Sequence, residues 1–97
     1  MTTPDTAAIP DYERVHADAI VIDAVCPLLA DPAYIPWWVE GGATAAAPTV
    51  SAFDGALGAF QSVAKWVRLV NRDPRLVLVK RAADIEQAKR ESKFGII

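Results

Sequence analysis

Four short apolar runs separated by helix-forming segments constrain the fold of this chain more than any other feature of its sequence. The runs cover residues 19–22, 43–50, 75–79 and 94–97. Parallel strands need a long crossover, usually a helix, whereas antiparallel strands can be joined by tight turns. The repeated order helix, strand therefore predicts an α/β protein with a parallel sheet. Apolar residues make up 53% of the chain and charged residues 23%, which excludes a disordered protein.

The longest helix is predicted within residues 53–74. Asp73 and Pro74 end it, because the residue before a proline disfavours helical backbone. Apolar residues recur there at helical spacing and are predicted to form the side that faces the core. They are Leu57, Phe60, Ala64, Val67 and Val70, and Val63 and Trp66 widen the face.

Length, charge and cysteine content limit the classes of protein and partner. The 97 residues suffice for one small domain or a piece of a larger one, and a net charge of −2 gives no case for binding nucleic acid or an anionic membrane. A single cysteine favours a reducing compartment. The N-terminus lacks the pattern of a secretory signal, and no apolar stretch approaches the ~20 residues that span a membrane. We therefore expect a cytoplasmic protein.

The distribution of strands indicates an incomplete sheet. Residues 94–97 begin a strand that no turn, cap or polar tail follows. Three or four parallel strands leave at least one edge of a sheet bare. We therefore expect residues 1–9 to be a disordered tail and residues 10–97 to be the N-terminal part of a (β/α)8 barrel that is incomplete in this chain. A complete small α/β domain is the alternative.

The first apolar run leads into Asp23 and then into a predicted corner at residues 24–27. Strand alternation places Asp23, Val25 and Pro27 on one side of the chain and Ala24 and Cys26 on the other. Asp23 is the carboxylate of greatest interest, because polar residues at strand ends often carry the chemistry of α/β enzymes. It is either a buried aspartate that pairs with a basic group or caps a loop, or a residue that faces substrate or supports metal ligands in a complete barrel.

Other candidate residues favour structural roles. His16 and Asp18 lie on a predicted helix, where residues two apart point about 200° from each other and cannot share one ion. Cys26 has no second cysteine or nearby histidine in sequence and is interpreted as a buried thiol. Trp37 and Trp38 follow the first strand and either cover the wall of the domain or line an active-site mouth.

Three segments resemble the N-terminal part of the membrane (renal) dipeptidase family. They are HADAIVIDAVCPLL at residues 16–29, GGATAAAPTV at residues 41–50 and RLVLVKRAADIEQAKRESKFGII at residues 75–97. The resemblance extends over nearly all of the chain from Tyr12 onward and depends on the order and spacing of these pieces. It implies a metal-dependent hydrolase on an amidohydrolase-type (β/α)8 barrel, with a two-zinc site at the carboxyl-terminal mouth.

The resemblance also implies that the first strand supplies a His-x-Asp pair of metal ligands. Val25 and Pro27 occupy those positions here, and neither carries a donor that zinc accepts. The remaining ligands of the family, a glutamate and histidines, are expected beyond Ile97. The chain therefore offers no metal ligand, no cofactor-binding residue and no catalytic residue other than the candidate Asp23.

The expected function follows from that resemblance. A full-length protein would hydrolyse a peptide or related amide with a water activated by zinc or another divalent metal. Its partners would be the remainder of the barrel and a small peptide-like substrate, while the isolated chain would bind no metal and be inactive. Two alternatives stay open: a non-catalytic protein of the same fold, and an independent small α/β domain that binds a partner.

Overall fold

A computed structural model describes residues 11–51 and 55–97 and contains a four-stranded parallel sheet. The strands are β1 (Ile22–Cys26), β2 (Ala45–Pro48), β3 (Leu76–Leu78) and β4 (Phe94–Ile96). The helices are α1 (Asp11–Asp18), α2 (Ile35–Glu40), α3 (Ala56–Arg72) and α4 (Ala82–Arg90), and two short 3₁₀ helices, Pro27–Ala30 and Pro32–Tyr34, lie between β1 and α2. The predicted parallel α/β class is confirmed. The tail predicted over residues 1–9 lies outside the described residues.

The order of the strands differs from that of consecutive barrel strands. All three pairings are parallel, and the order across the sheet is β1-β2-β4-β3. In a (β/α)8 barrel each strand pairs with the next one along the chain. Here β4 lies between β2 and β3, and β3 forms the outer strand. The sheet is thus parallel as predicted, but its order is not the sequential order of the expected barrel.

The first strand begins later than the sequence predicted. The apolar run at residues 19–22 was expected to be the strand and residues 24–27 the corner, whereas β1 covers Ile22–Cys26. Residue 21 pairs with the segment before β2: the Val21 backbone N–H donates to Thr44 Oγ1 at 3.0 Å, and the Val21 carbonyl accepts from the Thr44 N–H at 2.7 Å. The partner strand starts at Ala45, so the regular pairing of β1 starts opposite it. The position of the partner strand β2 therefore determines where β1 begins, and local hydrophobicity does not encode that position.

The hydrophobic core lies on one face of the sheet. Phe94 and Ile96 alternate with Gly95 along β4, so both point to the same face. They pack with Trp66 of α3, which is only 4% exposed. The cluster consists of Cys26, Leu29, Ala46, Trp66, Leu76, Phe94 and Ile96.

The side of α3 that faces the core matches the predicted one only in part. Trp66 is buried, and Leu69 and Val70 pack against the core cluster. Leu57 and Phe60, predicted to face the core, are 71% and 73% exposed. The apolar residues of α3 cover more than one side of the helix, so their periodicity did not determine which side the sheet would contact.

No helix in the described residues is long and apolar enough to span a lipid bilayer.

Gly95 of β4 lies against Val79, just after β3, and Ala45 of β2, which leave no room for a larger residue. A Cβ atom at this position would lie 2.9 Å from Val79 Cγ2 and 3.1 Å from Ala45 Cβ. We expect Gly95→Val to cost about 1–3 kcal/mol through overpacking and to lower the urea midpoint measured by far-UV circular dichroism. Gly55→Ala is the control, since no atom lies within 4 Å of a Cβ there. Equal midpoints for the two variants would contradict this packing.

Candidate functional site

Asp23 is held by an indole rather than by a basic group. Its carboxylate is half-buried, and Oδ2 accepts a hydrogen bond from Trp38 Nε1 at 2.9 Å. Oδ1 accepts a longer bond, 3.3 Å, from the Val25 backbone N–H. The Trp38 hydrogen bond, followed by the Cys26 thiol, lowers the pKa of Asp23 below its ordinary value of 3.8. The carboxylate thus connects β1 to α2 and stays ionised at neutral pH.

A bulge in β1 changes the side to which Cys26 points. Asp23 pairs with Ala46 and Cys26 pairs with Pro48, so three steps along β1 match two steps along β2. Alternation predicted that Asp23 and Cys26 would face opposite sides, and the bulge brings them to the same side. Cys26 is buried, and its pKa is raised first by burial and then by Asp23. A buried thiol with a raised pKa is a poor nucleophile.

The positions that correspond to the expected metal ligands do not fit a metal. Val25 is 77% exposed and Pro27 begins a 3₁₀ helix, and both side chains are hydrocarbon. Within residues 11–51 and 55–97, no group of three or more His, Cys, Asp or Glu residues could hold a metal ion. The two-zinc site that the family resemblance implies therefore finds no ligand set among the described residues.

His16 contacts the loop after α2. Its Nε2 donates to the Gly41 carbonyl at 2.7 Å. Gly42 follows with φ +88°, and a Cβ atom there would lie 2.6 Å from His16 Nε2. Lys89 of α4 donates from Nζ to the Ala17 carbonyl at 2.6 Å. These contacts fix the end of α1 against two other segments, and they give His16 a structural position away from Asp23.

A concave groove lies at the end of the sheet opposite to the expected site. This groove has a volume of about 910 Å³, and Thr44, Leu76 and Phe94, at or just before the amino ends of three strands, line it. Active sites of α/β enzymes lie at the carboxyl ends of their strands. The basic residue Arg75 on its rim is bound to Asp73, with Arg75 Nη2 2.8 Å from Asp73 Oδ2, and this hydrogen bond lowers the pKa of Asp73 to about 2. The groove thus offers no free catalytic group through this pair.

The neighbouring residues Trp37 and Trp38 have different surroundings. Trp38 packs against the core cluster and binds Asp23. Trp37 is 62% exposed, and its ring lies 4.9 Å from that of Tyr34. A shallow pocket of about 310 Å³ includes both tryptophans together with Val21, Gly41 and Ala43, which precede β1 and β2. The sequence did not predict the hydrogen bond between Trp38 and Asp23. The available signal was the identity of Trp38, an indole donor fifteen residues after a carboxylate on a strand.

Comparison with known proteins gives one informative likeness. No protein-family model matches the chain, and no curated protein matches it. The chain is similar to the crystal structure of an amidohydrolase from Pseudomonas aeruginosa, with 30% sequence identity and a TM-score of 0.73. The likeness covers 87% of this chain and 26% of that protein, so the chain spans about a quarter of the amidohydrolase. It supports an amidohydrolase-type relationship and a coarse relation to hydrolases.

Replacing Trp38 tests the environment of Asp23. Trp38→Phe removes the indole donor, and we expect the pKa of Asp23, measured by NMR titration of its carboxyl carbon, to rise toward 3.8. A carboxyl whose pKa is lowered in the folded state stabilises that state above its unfolded pKa, and the contribution disappears as pH falls through the folded pKa. The stability difference between the wild type and Trp38→Phe should therefore shrink in that acidic range.

Trp37→Phe provides the matched control for this titration. Trp37 is mostly exposed and does not bind Asp23, so the control should leave the pKa of Asp23 unchanged. An equal effect of both substitutions, or none from Trp38→Phe, would contradict the assigned hydrogen bond.

Proposed function

We propose that this chain forms the N-terminal strand–helix portion of an amidohydrolase-type hydrolase that cleaves peptide or related amide bonds. The observation that carries the proposal is the likeness to the Pseudomonas aeruginosa amidohydrolase, which extends over 87% of the chain at 30% identity. The dipeptidase-like character is the more specific part. It is supported by the resemblance of residues 75–97, a short strand, a helix and a further strand in that order.

The burial of apolar residues in the described part of the chain supports the proposal that it is a portion of a larger domain. Nine apolar residues are buried, three of them alanines, whereas twelve larger apolar side chains are exposed. Small domains are marginally stable even when their apolar residues are well buried. So much exposed apolar surface is expected for strand–helix units that pack against others.

Within such a hydrolase, this portion serves as scaffold rather than as the source of reacting groups. The carboxylate of Asp23 is engaged by Trp38, and its lowered pKa makes it a weak proton acceptor. Val25 and Pro27 offer no metal donor. The divalent metal expected for the family would therefore depend on residues outside these 97, and Asp23 positions β1 against α2.

A non-catalytic protein of the same fold is the second candidate. The specific observation that favours it is the presence of Val25 and Pro27 where the family resemblance implies a His-x-Asp pair. Loss of ligands with retention of the strand is the pattern expected when a fold keeps its packing but not its chemistry.

A hydrolysis assay of the protein encoded by the complete reading frame that contains these residues tests the proposal. We expect that protein, supplied with zinc or another divalent metal, to release amino acids from dipeptides in a ninhydrin assay, and the isolated 97-residue chain to release none. Asp23→Asn keeps an acceptor for Trp38, so activity should fall less than about tenfold, whereas loss of a general base costs about 10²–10⁴-fold. Absence of hydrolysis by the folded, metal-supplied protein would favour the non-catalytic candidate instead.

A further inference from the structure

The two donor-bearing side chains of β1 point to the face of the sheet that the helices cover. Cys26 belongs to the core cluster, and Asp23 pairs directly with Ala46, which belongs to the same cluster. Val25 precedes Cys26 by one residue, so its side chain points to the other face of the sheet, where it is 77% exposed. At the carboxyl end of β1, this other face therefore presents a hydrocarbon side chain.

The same face is hydrocarbon on the other strands as well. Gly95 of β4 points there, since Phe94 and Ile96 on either side of it belong to the core cluster. A Cβ atom at Gly95 would lie 2.9 Å from Val79 Cγ2 and 3.1 Å from Ala45 Cβ, so these two side chains share the face with it. We call this the second face of the sheet. The described residues assigned to it by pairing and alternation are Ile22, Val25, Ala45, Ala47, Val77, Val79 and Gly95.

The second face is the one from which ligands at an active-site mouth would project. Helices form the outer ring of a (β/α)8 barrel, and the side chains on the other face of its strands fill the interior. The helices of this chain cover the face that carries Trp66. In the arrangement that the family resemblance implies, the second face is therefore the interior one. Among the described residues, it carries no imidazole, thiolate or carboxylate.

We propose that the complete protein holds no more than one divalent metal ion at this mouth, in place of the two-zinc centre that the family resemblance implies. This inference rests on the proposed function. A catalytic zinc ion is held by about three protein donors. The implied His-x-Asp pair would supply two donors from β1, and Val25 and Pro27 supply none. One of the two ions therefore lacks most of its ligand set.

The donors that β1 does carry do not replace the missing pair. Asp23 Oδ2 accepts from Trp38 Nε1 at 2.9 Å, and Asp23 Oδ1 accepts from the Val25 backbone N–H at 3.3 Å. Cys26 is only 1% exposed and is packed within the core cluster. Within residues 11–51 and 55–97, no third His, Cys, Asp or Glu completes a metal-binding group with these two. Both side chains thus serve the helix-covered face.

The metal content of the complete protein tests the proposal. The protein encoded by the complete reading frame is loaded with excess zinc, passed through gel filtration and analysed by inductively coupled plasma mass spectrometry. We expect no more than about one zinc ion per chain, and about two per chain would overturn the proposal. The isolated 97-residue chain is the control for surface binding and should retain no zinc. Stoichiometric zinc on the isolated chain would also overturn the proposal.

Returning donors to β1 gives a matched comparison. Val25→His together with Pro27→Asp places the implied pair on the strand. Leu28→His together with Ala30→Asp places the same side chains at the same spacing in the following 3₁₀ helix. Val25 is 77% exposed and Leu28 is 48% exposed, so neither change removes a buried side chain at these positions. We expect the first variant to gain about one zinc ion per chain and the second to gain none, and equal gains would overturn the proposal.

Cobalt(II) in place of zinc reports on the ligands of the remaining ion. Thiolate ligation gives strong charge-transfer absorption, and we expect no such band that depends on Cys26, because this thiol is buried in the core. A band that Cys26→Ser removes would overturn the proposal. Asp23→Asn should bind as much zinc as the wild type, and the loss of an ion from this variant would overturn it as well.

Zinc content and hydrolysis give separate answers. One zinc ion per chain together with hydrolysis of dipeptides supports this inference and the proposed function. At most one zinc ion without hydrolysis keeps this inference and removes the proposed function. Two zinc ions with hydrolysis keep the proposed function and overturn this inference.

Discussion

The packing of one face of a short parallel sheet against Trp66 is the interaction on which the rest of the structure depends. Phe94 and Ile96 of β4 and Ala46 of β2 contribute to the same cluster, so this one surface holds the central strands and the longest helix together. Burial of apolar area is the main favourable term in folding. The cluster also includes Cys26, which ties the bulged end of β1 to the core.

The position of Asp23 follows from this packing. Once Cys26 is drawn into the core, the bulge in β1 turns Asp23 to the same side, where Trp38 of α2 binds its carboxylate. Val25 is left exposed near the carboxyl end of the strand. The strand that resembles a ligand-bearing strand of metal-dependent hydrolases therefore serves here to position helices. The likeness to an amidohydrolase, which covers 87% of this chain, is then a likeness of framework.

The class of fold could be predicted from sequence because it depends on local patterns. Apolar runs alternate with amphipathic segments, and that alternation alone indicates a parallel α/β arrangement. Registers and contacting sides could not be predicted, because they depend on partners distant in the chain. The pairing of β1 follows the start of β2 at Ala45, and the sheet selects the Trp66 side of α3 over the side with Phe60. Likewise, no local signal reports a bulge between Asp23 and Cys26, and the indole that binds Asp23 lies fifteen residues away.

We propose that these residues are strand–helix units of a larger amidohydrolase-type domain, and differential scanning calorimetry of the isolated 97-residue chain tests this proposal directly. Because the isolated chain has a small core and many exposed apolar side chains, we expect a broad transition whose enthalpy lies well below the roughly 0.7 kcal/mol per residue of ordinary globular proteins near 60 °C. A sharp transition with that ordinary enthalpy, and with equal calorimetric and van't Hoff values, would show a self-contained domain and contradict the account.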